Sequence, residues 1–246
     1  MNKKNILFLF LGIITCIFFI IFFLLYTGKI WFNNPSFDKY PIQGIDISHH
    51  QNKIDWDKVK TENFTFVFMK ATEGGDFKDK RFKENWSNAK RINLEVGAYH
   101  FFTFNTKGRK QALNFIETVP NEKNMLPPVI DLEFTGNSKN QLSESELIKE
   151  LNIFIIELKK HYNKNPILYI TYDFYNKYLK KENLNYPIWI RDIFKYPDLD
   201  RAWDFWQYSN RGNVQGISTY VDLNVFKGNK EDLIKLKQKA QAHILE

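Results

Sequence analysis

Apolar residues run almost unbroken from Ile6 to Tyr26, and after Tyr40 the chain changes to short apolar runs that alternate with amphipathic stretches. The first segment is long enough to cross a bilayer, which takes about 20 helical residues. The second pattern predicts strands and helices in turn. Strands are expected at Gln43–Ser48, Phe64–Ala71, Leu94–Phe102, Pro128–Phe134 and Pro166–Thr171. Each is followed by a helical stretch: Trp56–Lys60, Lys80–Ile92, Lys107–Val119, Ser143–His161 and Phe174–Leu179. Ser143, with Glu146 three residues on, has the spacing of a capping box and marks the start of the long helix. Helices then thin out, leaving strands at Pro187–Arg191, Trp203–Tyr208 and Tyr220–Phe226 before a basic helix over Lys230–His243. Five βα units followed by about three strands predict an α/β barrel of mostly parallel strands rather than a doubly wound sheet.

One predicted strand carries two acids. In Val129-Ile130-Asp131-Leu132-Glu133-Phe134, side-chain alternation puts Val129, Asp131 and Glu133 on one face and Ile130, Leu132 and Phe134 on the other. The two carboxylates therefore point the same way, roughly 6.5 Å apart along the chain. Burying ionised acids without partners is costly, so such a pair needs hydrogen-bonding neighbours or a cleft open to water. Taken alone, these residues fit a solvated strand end equally well. In parallel barrels, however, chemistry gathers at the carboxyl ends of strands, and Asp46, Asp131, Glu133 and Asp222 all fall there. Glycosidic bond hydrolysis needs an acid to protonate the leaving oxygen and a second group to stabilise or capture the developing oxocarbenium. Glu133 is the candidate acid, its pKa raised by a nearby like charge, and Asp131 its partner, expected to remain ionised.

The composition, 43% hydrophobic and 17% aromatic over 246 residues, supplies ample core for one large domain or two small ones. The formal charge of +7 falls to +5 when Lys3 and Lys4 are set aside, and what remains is scattered, with no dense basic block. No nucleic-acid partner is expected; a solvated surface attracted to anionic material such as a cell wall is. The single cysteine, Cys16, lies in the apolar leader, so the globular part has no disulfide and no cysteine metal cluster. Thr15 before it, and the apolar run beyond, argue against lipid attachment. Lys3 and Lys4 keep the N-terminus in the cytoplasm, and the run ends in Leu25-Tyr26-Thr27-Gly28-Lys29 without a small-residue cleavage site. The expected organisation is a cytoplasmic stub and uncleaved signal anchor over 1–27, a linker over 28–40 with Trp31 and Phe32 at the outer interface, and a barrel domain with its C-terminal helix over 41–246. The catalytic domain then faces outward from the cell membrane, and is secreted if the leader is cleaved.

The stretch Gln43-Gly44-Ile45-Asp46-Ile47-Ser48-His49-His50-Gln51, continuing to Ile54-Asp55-Trp56, resembles glycoside hydrolase family 25. The resemblance extends through Phe68-Met69-Lys70-Ala71-Thr72-Glu73-Gly74, Gly97-Ala98-Tyr99-His100-Phe101 and Asp131-Leu132-Glu133. It continues in Leu168-Tyr169-Ile170-Thr171, Ile188-Trp189-Ile190, Trp206-Gln207-Tyr208 and Val221-Asp222-Leu223-Asn224. It implies a flattened TIM-like barrel and a muramidase that cleaves the β-1,4 bond between N-acetylmuramic acid and N-acetylglucosamine in peptidoglycan. By the family pattern Glu133 is the general acid, with Asp46, Asp131 and Asp222 around the cleaved sugar. Asp131 either orients the substrate's own acetamide for attack or serves a covalent route; both retain the anomeric configuration. Tyr99, Tyr169, Trp189 and Trp206 are candidate stacking rings, or ordinary core aromatics.

Two places depart from the pattern. His50 stands where a Trp is common, and Arg191-Asp192 replaces a small residue and an aromatic in one wall of the sugar site. His49-His50 has no third ligand motif nearby, so no metal and no cofactor are expected. Lys70 and Glu73 fit a strand-end ion pair as well as a site role. A monomer is expected. Two other functions stay open: a barrel that binds glycan without cutting it, and a glycosidase acting on chitin-like polymers.

Overall fold

A computed structural model describes residues 2–31, 33–137, 143–182 and 185–238. Helix α1 (Lys3–Tyr26) precedes β1 (Ile42–Ile47), α2 (Trp56–Val59), β2 (Phe66–Glu73), β3 (Phe77–Lys78), α3 (Phe82–Arg91), β4 (Glu95–Phe101) and α4 (Gly108–Thr118). There follow β5 (Val129–Leu132), α5 (Glu144–Tyr162), β6 (Ile167–Ile170), α6 (Tyr172–Phe174), β7 (Ile188–Arg191), β8 (Phe205–Gly212), β9 (Val221–Phe226) and α7 (Lys230–Gln238). Strands β1, β2, β4, β5, β6, β7 and β8 pair in parallel in that order. Strand β9 runs antiparallel between β8 and β1 and closes the barrel, while β3 hangs on β2 as a short hairpin. The expected five βα units and three strands are present. The predicted pattern missed β3, which is only two residues long, and the end of β8 at Gly212.

Alternation within the strands sorts side chains into two cores. Phe66, Phe68, Val129, Ile167, Tyr169, Trp189 and Phe205 fill the barrel interior. Val67, Met69, Ile130, Leu132, Leu168, Ile170 and Ile190 face outward under the helices. Helix α5 buries Leu147, Leu151, Phe154, Ile155, Leu158 and Tyr162, a stripe with helical spacing. Its capping box is formed: Glu146 N donates to Ser143 Oγ, and Ser143 N donates to Glu146 Oε2 at 3.1 Å. Helix α7 packs Leu233 and Leu236 against the interior core, and Lys237 Nζ lies 2.6 Å from Glu95 Oε2 at the start of β4. It thus covers the amino end of the barrel and leaves the carboxyl end open. The rest of the expected terminal helix, 239–243, lies outside the described residues.

Close approach makes glycine necessary at two inner points. A Cβ on Gly97 would strike the Phe68 ring inside the barrel. A Cβ on Gly108 would strike the Glu150 carbonyl, where α4 meets α5 and Glu150 Oε2 accepts from Gly108 N at 2.8 Å. Backbone cannot yield as a flexible side chain does, so Gly108→Ala is expected to destabilise the fold by about 3 kcal/mol. The measurement is thermal unfolding, with a transition lowered by roughly 6–12 °C.

Helix α1 has a mean hydropathy of 3.1 and is long and apolar enough to cross a membrane. The segment after it is irregular but bound to the barrel. Trp31 Nε1 donates to the carbonyls of Ile193 (2.9 Å) and Tyr208 (3.1 Å). The buried Asn33 amide donates to those of Asp192 and Lys195. Trp31 is thus held by backbone of the barrel; Phe32 lies outside the described residues.

Candidate active site

Four acids meet at the open carboxyl end of the barrel. Asp46 ends β1 on the inward face, and its Cα register partner across the β1–β9 pair is Asp222. Asp131 sits in β5 beside Tyr169 of β6, and Glu133 follows just past the strand on the same face. Asp46, Asp131, Glu133 and Asp222 line a pocket of about 100 Å3 together with Tyr99, Tyr169 and Trp189. Above it opens a cleft of about 730 Å3, walled by Glu133, Tyr172, Asp173, Arg191, Phe194 and Lys195 among others.

A hydrogen-bonded network fixes the pocket. Asp46 Oδ2 accepts from Asn224 Nδ2 at 2.8 Å and from Gln207 Nε2 at 3.3 Å. Trp189 Nε1 donates to Asn224 Oδ1 at 3.0 Å, and the Tyr169 hydroxyl donates to Gln207 Oε1 at 2.8 Å. Five strands therefore converge on one carboxylate. The second acid pair is supported differently: Asp131 is buried, and its Oδ1 has no hydrogen-bond partner among the described residues.

Burial decides the electrostatics. Desolvation pushes the Asp46 carboxyl up to about 6, against the lowering pull of Asn224 and Gln207. Asp222 is raised well above the carboxylate range by burial and then by the neighbouring Asp46. Asp131 is also raised well above that range, by burial and then by Glu133. Glu133 is raised by burial, with Arg191 pulling it down and Asp173 pushing it up. Burial therefore works against the expectation that Asp131 stays ionised. It is the more enclosed acid of the pair, and no donor reaches its Oδ1 to hold the charge.

A raised carboxyl has a thermodynamic consequence. Between pH of about 4 and 6 an unfolded Asp46 ionises while the folded one holds its proton, so the native state binds more protons and stability falls as pH rises. The contribution is fully present below that window, is lost above it, and amounts to on the order of 3 kcal/mol. Asp46→Asn is expected to raise the unfolding temperature of the full chain at pH 8 more than at pH 4, as read by thermal melts at both values. Equal shifts at the two pH values would contradict it.

The comparisons with known proteins fit this geometry. The model of glycosyl hydrolases family 25 matches residues 45–217. The chain belongs to that family. It is a glycoside hydrolase, and the matched region holds three of the four acids at the strand ends, Asp222 following it. A solved family 25 glycosyl hydrolase from Bacillus anthracis is 45% identical, with a TM-score of 0.78, over 82% of this chain and 96% of that one. A bacterial lysozyme from Streptomyces coelicolor is 32% identical with a TM-score of 0.72, over 81% of this chain and 98% of that one. Lysozyme M1 of Streptomyces globisporus is 33% identical over 212 residues, 81% of this chain and 72% of that protein.

Within this family 25 barrel the expected residues separate. Tyr99, Tyr169 and Trp189 line the pocket, but the latter two are hydrogen-bonded props of the Asp46 network. Trp206 does not join them. It faces out of the barrel, donates to the Asp192 carbonyl at 2.8 Å and packs edge-on against Tyr40, Tyr196, Trp203 and Tyr208. The side chain that β8 turns inward is its neighbour Gln207, which strand alternation from Phe205 identifies. Asn224 was legible the same way, two residues from Asp222. Lys70 forms its strand-end ion pair, with Nζ 2.7 Å from Glu73 Oε2 and near the Phe77 and Phe101 rings. His49 Nδ1 lies 2.8 Å from Asp79 Oδ2. Among the described residues no cluster of three or more His, Cys, Asp or Glu is placed to hold a metal. His100 points away from the pocket, held between Thr72 and Gln111.

Proposed function

We propose that the chain is a muramidase that hydrolyses the β-1,4 bond between N-acetylmuramic acid and N-acetylglucosamine in peptidoglycan, with retention. The observation that carries this reading is the Asp131–Glu133 pair at the mouth of the four-acid pocket, Glu133 reaching both pocket and cleft. Glu133, its carboxyl raised by burial, donates its proton to the glycosidic oxygen as the bond to the anomeric carbon breaks. The orphaned Asp131 Oδ1 is positioned to accept the N–H of the 2-acetamido group, whose carbonyl oxygen attacks the anomeric carbon from the opposite face. Water then opens the resulting oxazoline ring, with the Glu133 carboxylate taking its proton. Asp46 and Asp222 line the same pocket, and Tyr99 contributes a hydroxyl.

Relatives described as lysozyme and muramidase, among them a muramidase from Acremonium alcalophilum at 27% identity, support the substrate class. Helix α1 supports a membrane-anchored enzyme with its barrel on the outer side, or a secreted one where the leader is removed. The test is release of new reducing ends by the full chain from purified peptidoglycan and from chitin. Release from peptidoglycan with little from chitin is expected. The reverse preference would move the assignment to chitin-like polymers, and binding without release would make the barrel a glycan receptor.

A further inference from the structure

We infer that Arg191 recognises the muramyl sugar by gripping a carboxylate carried on its D-lactyl arm, an inference that rests on the muramidase reading above. The lactyl ether at O3 is what distinguishes N-acetylmuramic acid from N-acetylglucosamine, and it ends in a carboxyl group, free or joined to the stem peptide. Among the described residues the four-acid pocket has no cation complementary to that group, and its one amide, Gln207, is already bonded to Tyr169 and Asp46.

Arg191 supplies one. Alternation in β7 turns Trp189 and Arg191 inward and Ile190 outward, so Arg191 follows Trp189 toward the carboxyl end of the strand and lines the cleft above the four-acid pocket. Its guanidinium lies within electrostatic reach of Asp46, Glu133 and Asp222 yet makes no hydrogen bond or ion pair among the described residues. A cation serving only to neutralise those acids would be hydrogen-bonded to one of them, and burial already holds them toward their neutral forms. The charge of Arg191 is thus left for the cleft. A guanidinium is weakly hydrated and matches a carboxylate bidentately, so it loses little on being desolvated beside one.

The wall that carries Arg191 is pre-organised. Asp192 Oδ1 accepts from the backbone N–H groups of Phe194 (3.2 Å) and Lys195 (3.0 Å), and the Asn33 amide ties the Asp192 and Lys195 carbonyls from the juxtamembrane segment. Lys195 adds a second cation to the same wall, its Nζ 5.7 Å from the centre of the Tyr172 ring.

The experiment compares pairs of substrates that differ in one charge. Glycan strands stripped of peptide by an amidase carry free lactyl carboxylates; carbodiimide coupling to methylamine neutralises them. Intact strands, before and after the same amidation, differ in stem-peptide carboxylates instead. The full chain is expected to favour the charged member of one pair by about tenfold in kcat/KM, through KM. Arg191→Gln is expected to erase that preference and Arg191→Lys to keep part of it. A preference confined to the stripped pair assigns the free lactyl carboxylate, and one confined to the intact pair assigns the stem peptide. Equal cutting of both members by the full chain, or a preference that survives in Arg191→Gln, overturns the inference while leaving the muramidase reading intact. Failure of the full chain to cut any of the four overturns both.

Discussion

Glu133→Gln is expected to lower wall hydrolysis by the full chain about 10²–10⁴-fold while leaving the fold in place. The substitution keeps the shape of the side chain and removes its only transferable proton. The proton matters because Glu133 borders both the deep pocket and the open cleft, where a leaving sugar must depart. Its carboxyl is raised by burial, so it remains a donor toward neutral pH, and activity is expected to fall on the alkaline side as that proton is lost. The measurement is kcat on purified peptidoglycan, with the thermal transition as the control for folding. A folded variant with undiminished turnover would sink the assignment.

Asp131→Asn carries the second large effect. If Asp131 steers the substrate acetamide, the developing positive charge on that group needs an anion beside its nitrogen, which an amide does not provide. A loss of about 10²–10³-fold in kcat is expected, similar to removing one pre-organised charge-stabilising group, with KM little changed. Binding of the acetamide N–H also supplies the donor that Oδ1 lacks, which favours the ionised form that burial opposes in the free protein. The assisted route makes a further demand. Strands whose muramyl sugars have been de-N-acetylated should lose turnover by the same order in the wild-type chain. Turnover that persists on those strands, together with an inactive Asp131→Asn, would instead assign Asp131 to a covalent glycosyl-enzyme.

Much of this architecture was legible because the barrel obeys one rule. Period-two alternation assigns Asp46, Asp131, Glu133 and Asp222 to a single interior, and parallel topology brings their strand ends together. The same rule was available for β8 and would have preferred Gln207 to Trp206; ring size drew attention to a tryptophan whose face is outward. Other features lay beyond local pattern. The Asp131 side chain is ringed by neighbours from distant strands, so its degree of enclosure, and hence its protonation, is a tertiary property. The docking of Trp31 and Asn33 onto the loop after β7 joins segments some 160 positions apart, with no sequence signal beyond a turn-like stretch. Arg191 stood out as a departure from the family pattern before its position was known, and the cleft explains why a cation is tolerated there: it is open to solvent and faces acids whose charge it favours.

Mass analysis of the fragments that the full chain releases from purified peptidoglycan tests the central claim most directly, since it reports the bond cut and the sugar exposed together. The account predicts disaccharide-peptides in which every new reducing end is N-acetylmuramic acid. New reducing ends on N-acetylglucosamine, or intact strands recovered bound to the protein, would contradict it.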